Sequence, residues 1–113
     1  MTTKDLMEKL QLQPLSTFEH REVKGVIISD MVSDVMATAH QGDLWLTVQT
    51  HKSIVPAANL VDVAAVVITG SKEVPQETID LASRFGIPIL WTKMPTFALA
   101  GKLYELGLRT PER

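Results

Sequence analysis

With 113 residues, 45% hydrophobic and 21% charged, the chain has the size and balance of one globular domain. Its 11 basic and 13 acidic residues give a formal net charge of −2, which excludes the concentrated positive field of a nucleic-acid binder. The absence of cysteine excludes disulfides, thiolate catalysis and cysteine metal sites, and no apolar run approaches the roughly 18 residues that span a bilayer.

The opening residues carry charge from Lys4 onward and lack the apolar stretch of a signal peptide, so a cytoplasmic protein without a membrane partner is expected. Thr2 or Thr3 can cap a first helix with Leu6, Met7 and Leu10 on its apolar stripe, ended by Gln13-Pro14. Residues 15–18 read as a short edge strand. Residues 23–28 (VKGVII) are β-branched and almost wholly apolar, as in a strand covered on both faces. Ser29-Asp30 then read as caps of a helix that turns Met31, Val32, Val35, Met36 and Ala39 to one side, ending at Gly42.

Residues 43–49 alternate, with Leu44, Leu46 and Val48 on one face and Trp45 and Thr47 on the other. Ser53 is placed to cap a helix through about Val61, with Pro56 in the first turn, where a missing N–H is harmless. Residues 63–69 (VAAVVIT) form the most continuous apolar run and read as a central strand. A helix opened by Pro75 presents Thr78, Leu81, Ala82 and Phe85 to the core and stops at Gly86. Residues 87–91 (IPILW) are the next strand, with Pro88 implying an unpaired side there. Thr96 is placed to cap a last helix, residues 97–106, terminated by Gly107 and apolar almost all round. Such a helix is either sandwiched within the domain or covered by an oligomer contact. Residues 109–113 read as a loose tail. Strand and helix alternate four times, which predicts a single three-layer α/β domain (core about residues 3–107) with a mostly parallel sheet of four to five strands and helices on both faces.

In a parallel sheet the chain leaves every strand at the same edge, and ligands bind beyond the carboxyl ends. The segments in question carry Ser29 and Asp30, then Thr50 and His51, then Thr69, Gly70 and Ser71, then Thr92 and Lys93. Two readings stand side by side. Hydroxyls and carboxylates after strands are the residues that cap the next helix; gathered at one edge near helix amino ends, they could equally hold an anionic small molecule or nucleotide. Asp30 and His51 could also form an acid–base pair, but no nucleophile is marked beside them. His20, His40 and His51 lack metal-ligand spacing, so no metal is expected, and no cofactor either. Residues 100–103 (AGKL) lack the upstream glycine and the following hydroxyl of a phosphate-binding loop.

Residues 25–31 (GVIISDM), 42–51 (GDLWLTVQTH), 64–71 (AAVVITGS), 86–90 (GIPIL) and 95–97 (PTF) together resemble, in order and spacing, the DRTGG domain family. The resemblance runs from the first helix through Leu106. It implies the fold of the amino-terminal domain of HPr kinase/phosphorylase, in a single-domain version, and a non-catalytic regulatory or ligand-sensing role. In that family the domain also accompanies CBS domains in regulated pyrophosphatases and often contributes to oligomer contacts. A homodimer, or an interaction subunit pairing with a partner enzyme through the apolar last helix, is therefore also implied. The chain departs from the family's Asp-Arg at Thr50-His51 and from its Thr-Gly-Gly at Thr69-Gly70-Ser71. Kinase activity is not implied, because the phosphate loop and the catalytic domain are absent from these residues.

Overall fold

Alternation along the strands decides the layering. The computed structural model describes residues 1–111. Its elements are α1 (Thr3–Leu10), β1 (Gln13–Pro14), β2 (Gly25–Ile28), α2 (Val32–Thr38), β3 (Asp43–Thr47), α3 (Ile54–Val61), β4 (Ala65–Ile68), α4 (Gln76–Phe85), β5 (Ile89–Trp91) and α5 (Thr96–Glu105). The sheet order is β1-β5-β4-β3-β2; β2 to β5 are mutually parallel, and β1 runs antiparallel to β5.

Because successive strand side chains point to opposite faces, each strand feeds two cores. Ile27, Trp45, Val66, Ile68 and Ile89 pack with Val35 of α2, Ile54 and Ala58 of α3 and Ala82 of α4. Their neighbours Val26, Leu44, Leu46, Ala65, Val67 and Leu90 pack on the other face with Leu6 of α1 and Leu99 and Leu103 of α5. The domain is thus a three-layer α/β sandwich, with three helices on one face and two on the other. Trp45 is completely buried, and its indole N–H donates to the Ser29 carbonyl at 2.8 Å, so the large apolar ring costs no unpaired donor.

Local chemistry explains the boundaries. Thr2 caps α1 reciprocally: its hydroxyl accepts from the Asp5 N–H at 3.2 Å, and the Asp5 carboxylate accepts from the Thr2 N–H at 2.8 Å. The Thr2 backbone N–H, and then its hydroxyl, hold the Asp5 carboxyl below the usual carboxylate range. Pro56 is the third residue of α3, inside the first turn as expected. Gly86 ends α4 at φ +67°, a left-handed conformation that glycine adopts without a Cβ penalty. At the amino end of the sheet, the Arg21 guanidinium donates to the Val63 and Gly86 carbonyls, both at 2.9 Å, and so ties the starts of β4 and β5 together.

Several expectations are corrected. The edge strand is Gln13–Pro14 rather than residues 15–18. Beyond it the ladder runs through Leu15 N–H to the Ile89 carbonyl, and then through the Ser16 hydroxyl, which donates to the Ile87 carbonyl and accepts from the Ile89 N–H. A side chain replaces the backbone there, and on the opposite side the Pro88 carbonyl accepts from the Val66 N–H at 2.9 Å, so the strand has partners on both sides at Pro88. Ser29 and Asp30 do not cap α2, whose amino-terminal flank is Met31 with no side-chain cap, and Ser53 makes no side-chain cap either. On α2 only Val35 is buried; Met31 and Met36 are 64% and 47% exposed, and Phe85 of α4 is 52% exposed. Thr96 is the first residue of α5, behind Pro95, instead of its cap.

The tail is docked, not loose, through Pro111; residues 112 and 113 lie outside the described residues. The Val26 N–H donates to the Arg109 carbonyl at 3.0 Å and the Thr110 hydroxyl donates to the Val26 carbonyl at 2.8 Å, covering part of the β2 edge. An uncovered edge would offer unpaired groups to another chain. Gly25 permits this approach: a Cβ there would lie 2.8 Å from the Pro111 ring and from Asp43 Oδ1. Gly25→Val is expected to destabilise the fold by about 1–3 kcal/mol in urea unfolding, as overpacking does. Truncation after Leu108 should shrink the difference between glycine and valine, because it removes one of the two obstacles.

Candidate functional site

Four parallel strands deliver all the polar segments singled out from the sequence to one edge, as expected. Most of their polar groups are committed to holding that edge together. After β2, the Ser29 hydroxyl accepts from the Met31 N–H at 3.2 Å. Asp30 Oδ1 accepts from the Thr47 hydroxyl at 2.9 Å and from the Val48 N–H at 3.0 Å, so this carboxylate pins the end of β3 to the loop after β2. After β3, the Thr50 carbonyl accepts from the buried Thr78 hydroxyl of α4 at 2.8 Å. His51 is exposed; its Nδ1 accepts from the Ser53 N–H at 3.1 Å, which turns the chain into α3. Among the described residues no hydrogen bond joins Asp30 to His51.

The ends of β4 and β5 carry a different geometry. β4 leads to α4 on one face and β5 leads to α5 on the other, so the chain diverges between these two strands. In open α/β sheets such a divergence leaves the crevice in which ligands bind. Here the crevice is laced shut. The Gly70 N–H donates to the Met94 carbonyl at 2.9 Å, the Ser71 N–H donates to the Thr92 carbonyl at 3.2 Å, and the Thr69 and Thr96 hydroxyls share a hydrogen bond of 2.7 Å. The turn needs two successive left-handed residues, Gly70 at φ +78° and Ser71 at φ +61°. Serine at the second costs about 1 kcal/mol relative to glycine, which explains physically why a Gly-Gly pair suits this position.

Thr92 and Lys93 differ from the rest. Thr92 is buried, with its hydroxyl accepting from the Met94 N–H at 3.1 Å, while Lys93 is exposed. Both line a cleft of about 460 Å³ on the α1/α5 side of the sheet, together with Lys9, Leu10, Gln11, Gln13, Met94 and Lys102. Sequence reasoning missed Lys9, Gln11, Gln13 and Lys102, which lie on α1, its exit, β1 and α5. The antiparallel placement of β1 against β5 brings the exit of α1 beside the segment that leads from β5 into α5. Ser29, Asp30, Thr50, His51, Gly70 and Ser71 do not line this cleft. Among the described residues no group of three or more histidines, cysteines, aspartates or glutamates could hold a metal, and no helix is long and apolar enough to cross a membrane.

With fold and edge in view, the chain can be placed. Residues 5–106 match the DRTGG domain, and the chain belongs to that family. It is similar in fold to the crystal structure of the CBS and DRTGG domains of the regulatory region of Clostridium perfringens pyrophosphatase, complexed with the activator diadenosine tetraphosphate. The TM-score is 0.69 at 18% sequence identity, over 95% of this chain and 47% of that one. The chain thus spans about half the length of that structure. No curated protein matches it.

The role of Asp30 as a pin has a direct test. Asp30→Ala should lower stability by about 1–2 kcal/mol, because it strands the hydroxyl of the buried Thr47 and the Val48 N–H. In a double-mutant cycle the loss should be smaller on a Thr47→Val background, the remainder being the Val48 N–H bond that this background keeps. Additive losses measured by urea unfolding would show that the two side chains are not coupled.

Proposed function

We propose that the protein is a non-catalytic regulatory module that senses an anionic metabolite or nucleotide at the carboxyl edge of its sheet. The observation that carries this reading is the contrast within that edge. Asp30 and His51, the groups an enzyme would use for proton transfer, are each engaged in a turn or strand-end hydrogen bond. Thr92 and Lys93, by contrast, border an open cleft that is lined by further lysines. Such a surface can bind negative charge. Membership of the DRTGG family supports a regulatory role. The similar pyrophosphatase region, a regulatory region complexed with a dinucleotide activator, supports a nucleotide as the ligand class.

Calorimetric titration with a panel of nucleotides and phosphorylated metabolites should find at least one that binds without being turned over. Lys93→Ala should weaken it by about fivefold to tenfold, the loss of roughly 1 kcal/mol of charge interaction at a surface site. His51→Ala should leave the affinity unchanged. A panel in which nothing binds removes the sensing reading; turnover that depends on Asp30 and His51 replaces it with a catalytic one.

A second reading has its own observation. Leu99 and Leu103 of α5 are buried, but Phe97 is 90% and Tyr104 61% exposed, leaving aromatic surface outward on the same helix. We infer that α5 supplies a contact to a second copy or to a partner enzyme, and that the protein acts as a homodimer. Sedimentation equilibrium should give twice the 12.5 kDa chain mass, and Phe97→Glu should give the monomer. A monomeric wild-type chain at high concentration would contradict the homodimer.

A further inference from the structure

The cleft beside β5 concentrates charge in a chain that is otherwise balanced. Three lysines line it, Lys9, Lys93 and Lys102, and no aspartate or glutamate does. The ion pairs among the described residues, Met1–Glu22, Arg21–Asp62 and Lys52–Glu77, all lie elsewhere and use none of these lysines. Asp5, one turn before Lys9, feels the Lys9 charge, but its carboxylate is bonded to the Thr2 cap and it does not line the cleft. Three like charges around one concavity repel each other, and an anion seated between them would relieve that repulsion.

We propose that this cleft binds a linear polyphosphate of two or three linked phosphates, either free or as the end of a nucleotide, through Lys9, Lys93 and Lys102. The inference rests on the sensing reading above and specifies its site and ligand chemistry. Lys9 stands on α1, Lys93 in the loop after β5 and Lys102 on α5, so three separate elements each bring one lysine to the cleft. From the start of α5 to Lys102 the helix rises about 9 Å, a span suited to a phosphate chain rather than to one phosphate. Lysines act as point charges on flexible stems, which follow a chain of phosphates without the fixed fork that a planar carboxylate favours. The amides of Gln11 and Gln13 add neutral donors beside them. The volume of about 460 Å³ lies within the range of small-ligand sites.

The experiment is calorimetric titration of the full chain at low ionic strength with sodium triphosphate, ATP and inorganic phosphate. Triphosphate and ATP should both bind, inorganic phosphate at least about tenfold more weakly, and the affinity should fall as salt rises. The double variant Lys9→Gln/Lys102→Gln, at two exposed positions, should weaken triphosphate by at least about tenfold. Lys52→Gln, whose ammonium bonds Glu77 away from the cleft, should change it by less than about twofold. ATP binding more tightly than triphosphate would identify a nucleotide as the ligand, and equal affinity would identify the phosphate chain itself. Triphosphate binding that survives the double variant overturns the cleft assignment while leaving the sensing reading intact. Phosphate binding as tightly as triphosphate overturns the polyphosphate. Failure of all three probes overturns this inference, and the sensing reading then stands or falls on the wider metabolite panel.

Discussion

Four parallel strands end on one edge, and every backbone group they leave there must find a partner. A buried peptide group without one costs a few kcal/mol, and the strand-end residues meet that demand. Asp30 holds the end of β3, the Thr50 carbonyl takes a hydroxyl from α4, and the loops after β4 and β5 bond directly to one another. The hydroxyls and the carboxylate that look like chemistry in the sequence are largely the price of parallel topology.

That constraint also decides where a ligand can go. The crevice between β4 and β5 is closed by the Gly70–Met94 and Ser71–Thr92 hydrogen bonds. The open concavity lies instead to the side, where β1 returns antiparallel along β5 and carries the end of α1 toward α5. Thr92 and Lys93 belong to both places, to the strand-end group by sequence and to the cleft by position. The lateral cleft is therefore a part of this edge that the strand-end hydrogen bonds leave open.

Much of the fold was legible because burial leaves a period behind. The run 63–69 could only be a covered strand, and the alternation of Trp45 with Leu44 and Leu46 placed the two cores correctly. What periodicity could not show was substitution of side chain for backbone. The Ser16 hydroxyl completing the ladder beside Ile89 and the Thr69–Thr96 pair are tertiary events with no local pattern. The docking of the tail on Val26 was hidden for the same reason, since Arg109 and Thr110 look like ordinary solvated residues. The candidate site was half legible. Lys93 follows a strand and was visible, whereas Lys9 sits on an amphipathic helix where charge is expected, and its meeting with Lys102 depends wholly on the fold.

The central claim is that this edge is closed along β2, β3 and β4 and open to an anion beside β5. Amide chemical-shift mapping of the labelled chain during titration with triphosphate tests it most directly. The shifts should centre on Lys9, Gln11, Lys93, Met94 and Lys102, with Asp30, His51 and Gly70 unmoved. Shifts centred on residues 49–51 and 70–71, with the lysine cleft silent, would contradict it.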